Sequence, residues 1–216
     1  AVFSASTRIL LLIAHQDDEI VFSPFLKKYC NGYRTCRLVT ATNDPVRASE
    51  WPVSVNRFLA LSDLGGFSWH SENAHPSAVL QDWNIEAAGL GLVNLNNVIA
   101  NEIDKFSPNL ILTFDPRHGT SCHSEHRAVG EAVRLGVNAY SGTKFPDKSK
   151  LYFLTTRRID SQNDTGANYI GLAPIAPTDR TSVTYSAYDY VAFAMTGWQF
   201  LKLEMETYPS QFSQSQ

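Results

Sequence analysis

Ala14-His15-Gln16-Asp17-Asp18-Glu19 sets an imidazole and two adjacent carboxylates at the end of an apolar run, Leu10-Leu11-Leu12-Ile13, and such groups cannot follow that run into a core. A second cluster, His118-Gly119-Thr120-Ser121-Cys122-His123-Ser124-Glu125-His126, follows another apolar run, Asn109-Leu110-Ile111-Leu112-Thr113-Phe114. Neutral imidazole and carboxylate are good zinc ligands, and a catalytic zinc usually takes three protein ligands and leaves a position for water. His15 and Asp18 can face one way as the chain turns out of a strand. His123 and His126 share one face of a first helical turn. With three ligands enough, the others among these residues, with Asp17 and Glu125, are expected to supply the acid and base groups of a metal-assisted hydrolysis.

Two strand ends must carry these clusters. Residues 8–14 read as a first strand buried on both faces, and 36–42 as a second. A helix is expected from Asp17 to Tyr29, capped by Asp17 and Asp18 and stopped at Asn31-Gly32, and another over 53–64, ended by Gly65-Gly66. The stretch 66–91 reads mostly as loop, with a short strand possible around Phe67-Ser68-Trp69-His70. An amphipathic helix over 95–106, a strand over 109–114, a helix over 123–135 starting inside the second cluster, a strand over 151–155 and a closing helix over 191–207 complete the pattern. Alternating strands and helices predict an α/β, Rossmann-like three-layer sandwich on a mainly parallel sheet, in which ligands bind outside the carboxyl ends of the strands. Both clusters fall at such ends, so the topology itself predicts that they meet. The glycine fingerprint of a dinucleotide site does not follow the first strand.

The chain has 216 residues and no compositional break that marks a linker, so one domain over 1–216 is expected. A net charge of -3 with no Lys/Arg block excludes a phosphate-neutralising groove, and the longest apolar runs are too short to cross a bilayer. The expected partner is a small molecule or oligosaccharide, with neither nucleic acid nor a transmembrane segment involved. Ala1 in place of Met suits a mature protein or a trimmed chain. Cys30 and Cys36 stand close enough in sequence to be bridged, two reduced thiols being the other reading, and Asn163-Asp164-Thr165 is a glycosylation sequon. Together these slightly favour a secreted, oxidising location.

In order, spacing and strand-end placement, the motifs resemble those of the LmbE-like, PIG-L-type family of zinc-dependent N-acetylglucosaminyl deacetylases. That family carries Ala-His-Pro-Asp-Asp-Glu after an apolar strand and His-Pro-Asp-His near a later helix start. Here they stand as Ala14-His15-Gln16-Asp17-Asp18-Glu19 and His123-Ser124-Glu125-His126, with Tyr208-Pro209-Ser210-Gln211 similar to the family's closing Ser-Gln. The resemblance implies that His15, Asp18 and His126 hold one zinc and that Asp17 is the general base toward a metal-activated water. It further implies that protonated His123 stabilises the oxyanion, that Glu125 orients or charge-stabilises His123, and that either His123 or Asp17 protonates the departing amine. Gln16 stands where the family has proline. Val53 and Asn56 stand where it often has Arg-x-x-Glu before Leu-Gly, although Arg47 and Glu50 have that spacing further upstream. The sugar-phosphate and inositol specificities of some family branches are therefore not carried over.

Each feature alone has a plainer reading. Asp17-Asp18 would cap a helix, and His15 would be a hydrogen-bonded structural histidine. Joint occurrence at two strand ends favours a metal site. His118 reads as loop or substrate-facing and Cys122 as packed, although either could approach the metal. His70, His75, Trp69 and Trp83 could stack on a sugar or form a local core under a long loop, and Tyr185, Tyr188 and Tyr190 read as packing. The expected activity is N-deacetylation of an amino sugar or glycoconjugate. The alternative is a non-catalytic carbohydrate-binding protein on the same fold, against which Asp17 argues, because a binder needs no general base.

Overall fold

β1 (Ile9–Ile13) consists of five aliphatic residues, all buried, and β4 (Leu110–Phe114) is buried along its whole length. Strands without a polar face belong in the middle of a covered parallel sheet. Accordingly, β1 pairs in parallel with β2 (Cys36–Thr42) on one side and with β4 on the other. The computed structural model describes residues 7–19, 22, 30, 35–46, 60–117, 119, 123–157, 167–174 and 191–196, with the backbone alone for 60–63, 155–157, 167–174 and 191–196.

Among the described residues the sheet has seven strands in the order β3-β2-β1-β4-β5-β6-β7, with β3 at Ala60–Phe67, β5 at Leu151–Arg157, β6 at Ala167–Pro174 and β7 at Val191–Thr196. From β3 to β5 all neighbours are parallel, whereas β6 and β7 are added antiparallel. This is the α/β, mainly parallel architecture expected, with a Rossmann-like strand order. The order reverses between β1 and β4, and in such sheets ligands bind beyond the carboxyl ends of the strands at that point. Among the described residues, no helix is long and apolar enough to cross a membrane.

Among the described residues, three complete helices support this frame: α1 (Pro76–Gly89), α2 (Leu95–Phe106) and α3 (Ser124–Ala139). α3 lies over β1, β4 and β5, and both α1 and α2 pack against it. Its seat on β4 depends on Gly130, where a Cβ would fall 2.2 Å from the Phe114 carbonyl oxygen. α2 buries Leu95, Val98, Ile99, Ile103 and Phe106, an i, i+3, i+4 stripe, and is capped by the Asn94 side chain.

Three expectations are corrected. Residues 60–64 were expected at the end of a helix over 53–64 but form the first half of β3, while 53–59 lie outside the described residues. Gly65 and Gly66, at φ 139° and 63°, stop no helix; they occupy a shift in the β2–β3 register between Thr40 and Thr42. The stretch 66–91 was expected mostly as loop but contains α1, which starts on Pro76, is capped by His75 and buries Val79, Trp83 and Ala87. The closing helix over 191–207 begins instead as β7, where Val191, Phe193 and Met195 alternate and β6 takes up the backbone hydrogen bonds; 197–207 lie outside the described residues. Of the helix expected from Asp17 to Tyr29, only Glu19 and Phe22 are described beyond the turn, both helical.

Cys30 and Cys36 form a disulfide with their Cα atoms 5.5 Å apart, tying the start of β2 to the segment before it.

Candidate metal centre

Beyond β1 the chain makes a tight turn over residues 16–18 that bends Asp18 back onto the strand end. Asp18 Oδ2 accepts the backbone N–H groups of Ala14 at 3.1 Å and His15 at 2.8 Å, so the two adjacent carboxylates of the motif do not share one role as helix caps. Asp18 Oδ1 is left facing His126 Nε2 at 2.9 Å, and Oδ2 also lies 3.4 Å from His15 Nδ1. His126 comes from the first turn of α3. The register of β1 against β4 and the seat of α3 on β4 bring it to the β1 end. His15, Asp18 and His126 are all buried, and their ligand atoms lie within 4.8 Å of one another, a group that could hold a metal ion. His15, His123 and Glu125 form a second such group that shares His15.

Hydrogen bonds to the outer ring nitrogens favour the first group. His126 Nδ1 donates to the Gly119 carbonyl at 2.9 Å, which leaves Nε2 to face Asp18. His15 Nε2 donates to Glu125 Oε2, which leaves Nδ1 on the Asp18 side. A metal-ligating histidine almost always has its second nitrogen held in this way, by a carbonyl or a carboxylate. Glu125 is itself wholly buried and accepts the His70 backbone N–H at 2.6 Å through its other oxygen. Phe114 stacks on the His126 ring with centroids 4.3 Å apart, and Trp69 stacks on His15 at 4.5 Å.

Burial opposes charge on His15, Asp18 and Glu125, yet the opposite charges prevail. Burial disfavours the His15 cation, but Asp18 and Glu125 hold its pKa up at about 9. Burial likewise disfavours the Asp18 carboxylate, but His126 and His15 keep its pKa well below the usual range, and Glu125 is lowered chiefly through its hydrogen bond to His15. Such a donor set, one anionic oxygen and two imidazoles with fixed outer nitrogens, suits a divalent cation, and a cation there would take the place of protons.

The remaining site residues are placed as follows. Asp17 lies in the turn between His15 and Asp18, half-buried, at φ 148°, a region that costs a non-glycine residue about 1–3 kcal/mol and that tends to occur at functional sites. His123 is the N-cap of α3: its Nδ1 accepts the Glu125 backbone N–H at 3.2 Å, so its ring proton sits on Nε2. Its edge meets His15 and its face lies on His126, with centroids 5.0 and 4.6 Å apart. Burial, reinforced by His126 and His15, pushes its pKa down to about 4 although Glu125 works in the other direction. The expected link of Glu125 to His123 thus runs through its backbone and its charge, while its carboxylate binds His15. Gln16 donates to Asn43 Oδ1 at 3.0 Å and accepts from the Asp44 N–H at 3.1 Å, joining the β1 and β2 ends.

The aromatic group read from the sequence divides. Trp83 is core, donating Nε1–H to the Ser68 carbonyl at 3.0 Å, and His75 is a helix cap, whereas Trp69 and His70 reach the site. No sequence signal joins His70 to Glu125, because the contact is made by the backbone; Gly119 acts through its carbonyl and was equally silent. His118, Cys122, Arg47, Glu50, Val53, Asn56, the sequon, Tyr185, Tyr188, Tyr190 and the Tyr208 to Gln211 motif lie outside the described residues. No protein-family model matches the chain, and no curated protein matches it.

Proposed function

We propose that this chain is a zinc-dependent hydrolase that removes the acetyl group from an N-acetylated amino sugar or glycoconjugate, water and amide giving acetate and free amine. The observation that carries this reading is the buried His15, Asp18 and His126 group with Asp17 set inside its turn, beyond the strand ends where the sheet order reverses. The motif resemblance supplies the reaction class. A bound zinc would contribute Lewis-acid chemistry, easing the ionisation of a water and polarising the acetyl carbonyl.

His15, Asp18 and His126 would hold the ion, and Glu125 and the Gly119 carbonyl would fix the two imidazoles. Asp17 takes the proton from the attacking water. His123, with a pKa of about 4 and its proton on Nε2, acts at neutral pH as a neutral donor to the developing oxyanion. A neutral imidazole of that kind has no proton to give up readily, which favours Asp17 as the group that returns a proton to the leaving amine. The disulfide supports an oxidising, secreted location within the same reading.

Metal analysis paired with acetate release from N-acetylglucosamine and chitooligosaccharides tests this reading. Asp17→Asn is expected to keep zinc and lose activity by about a hundredfold or more, the usual scale for removing a general base, whereas His126→Ala loses zinc as well. Equal metal content in the two variants would overturn the ligand assignment. Bound zinc without turnover on any N-acetyl substrate, together with unchanged sugar binding in Asp17→Asn, would leave the carbohydrate-binding alternative standing.

A further inference from the structure

Trp69 differs from the other large aromatics of the described core. It lies 41% exposed beside a buried ionic site, while Trp83, Phe22 and Phe114 are sealed. Its indole stacks on His15 with the ring planes 16° apart, so it covers a member of the candidate metal group and still presents surface to solvent. The backbone on both sides of it is anchored. Ser68 donates its N–H to Glu86 at 2.9 Å and accepts from Trp83 Nε1 at 3.0 Å, and the His70 N–H is held by Glu125 at 2.6 Å. The His70 ring is held in turn by Asp82 at 3.0 Å. An exposed indole that is fixed before any ligand arrives loses little freedom on binding, which is how a preorganised contact gains affinity.

We propose that Trp69 is the platform of a sugar subsite, on which the pyranose ring of the substrate packs while its acetamido group reaches the His15, Asp18 and His126 group. The apolar C–H face of a pyranose complements the electron-rich face and edge of an indole. Stacking on His15 also sets the indole one ring away from the metal group, so a sugar whose acetamide enters that group carries its ring alongside Trp69. The choice of a sugar as occupant rests on the hydrolase reading above; the existence of a fixed ring-binding surface does not.

Calorimetric titration of the zinc-loaded protein, in an Asp17→Asn background to stop turnover, separates the two. N-acetylglucosamine and N-acetylethanolamine, an acetamide without a ring, are each titrated against Trp69, Trp69→Phe and Trp69→Ala. Trp69→Ala is expected to weaken N-acetylglucosamine binding about tenfold, within the range of aromatic stacking energies. Trp69→Phe should recover binding to within about threefold, and N-acetylethanolamine binding and zinc content should stay unchanged in both. An equal loss for both ligands would make Trp69 a mere support for His15 and overturn the proposal, as would sugar binding that is undetectable in the parent or insensitive to Trp69→Ala. Failure of the hydrolase reading shows separately, as absent acetate release by the protein with Asp17 intact.

Discussion

His15 has its ring nitrogens committed to two carboxylates, Nδ1 toward Asp18 and Nε2 toward Glu125, and with a pKa of about 9 it is protonated at neutral pH while no cation is bound. A metal ion must therefore expel the Nδ1 proton. Zinc affinity is expected to rise about tenfold per pH unit up to pH ~9, with about one proton released per ion at pH 7 from this residue. Calorimetry in buffers of different ionisation enthalpy measures that release; an affinity flat between pH 6 and 8 would contradict it. The ligand candidates themselves were legible, because His15 with Asp18 and His123 with His126 keep spacings that survive folding. Partner choice beyond them was not. The Glu125 carboxylate meets His15 across 110 positions, a contact that depends on the separation of β1 from α3 and not on residue type.

The elements that hold these residues were legible where burial forces a pattern. β1, β2, β4 and α2 sit close to where hydrophobic runs and helical periodicity put them, and α3 starts one residue after His123. α1 was lost because its buried face is a narrow stripe, Val79, Trp83 and Ala87, among polar neighbours, and β3 because Gly65-Gly66 reads as a helix stop outside the context of a paired strand. β7 was lost because its partner β6 alone decides between strand and helix for so short an apolar stretch. The seat of α3 gives the test at this scale. Gly130→Ala drives a methyl into the Phe114 carbonyl, which should cost about 1–3 kcal/mol by overpacking and shift the helix that carries His126. Chemical denaturation and zinc titration of this variant should both move, whereas Ala128→Gly, a cavity on the same helix, should lower stability with less effect on zinc affinity.

Across the whole molecule, the convergence of two distant clusters was legible because both follow apolar runs at the carboxyl ends of parallel strands; that these strands, β1 and β4, are neighbours at the reversal of the sheet order was not. The same geometry links the site to global stability. The raised pKa of His15 stabilises the ion-free fold fully below pH 6.5 and progressively less as pH rises toward 9, so an ion-free protein should be less stable at pH 9 than at pH 6.5 as far as this group is concerned. With saturating zinc that dependence should cancel over the same interval, since binding strengthens as fast as the ion-free fold weakens. At a hundredfold excess of zinc over its dissociation constant, melting is expected roughly 5–10 °C above that of the chelated protein, and His126→Ala should abolish the difference. Differential scanning calorimetry with and without chelator reads both effects. The Cys30–Cys36 bond spans a sequence separation of only 6, whereas the His15 and Glu125 segments that meet at the centre are 110 positions apart. Closing the longer loop removes more freedom from the unfolded chain, so a bound ion would serve as the molecule's long-range cross-link, and one that a chelator can undo.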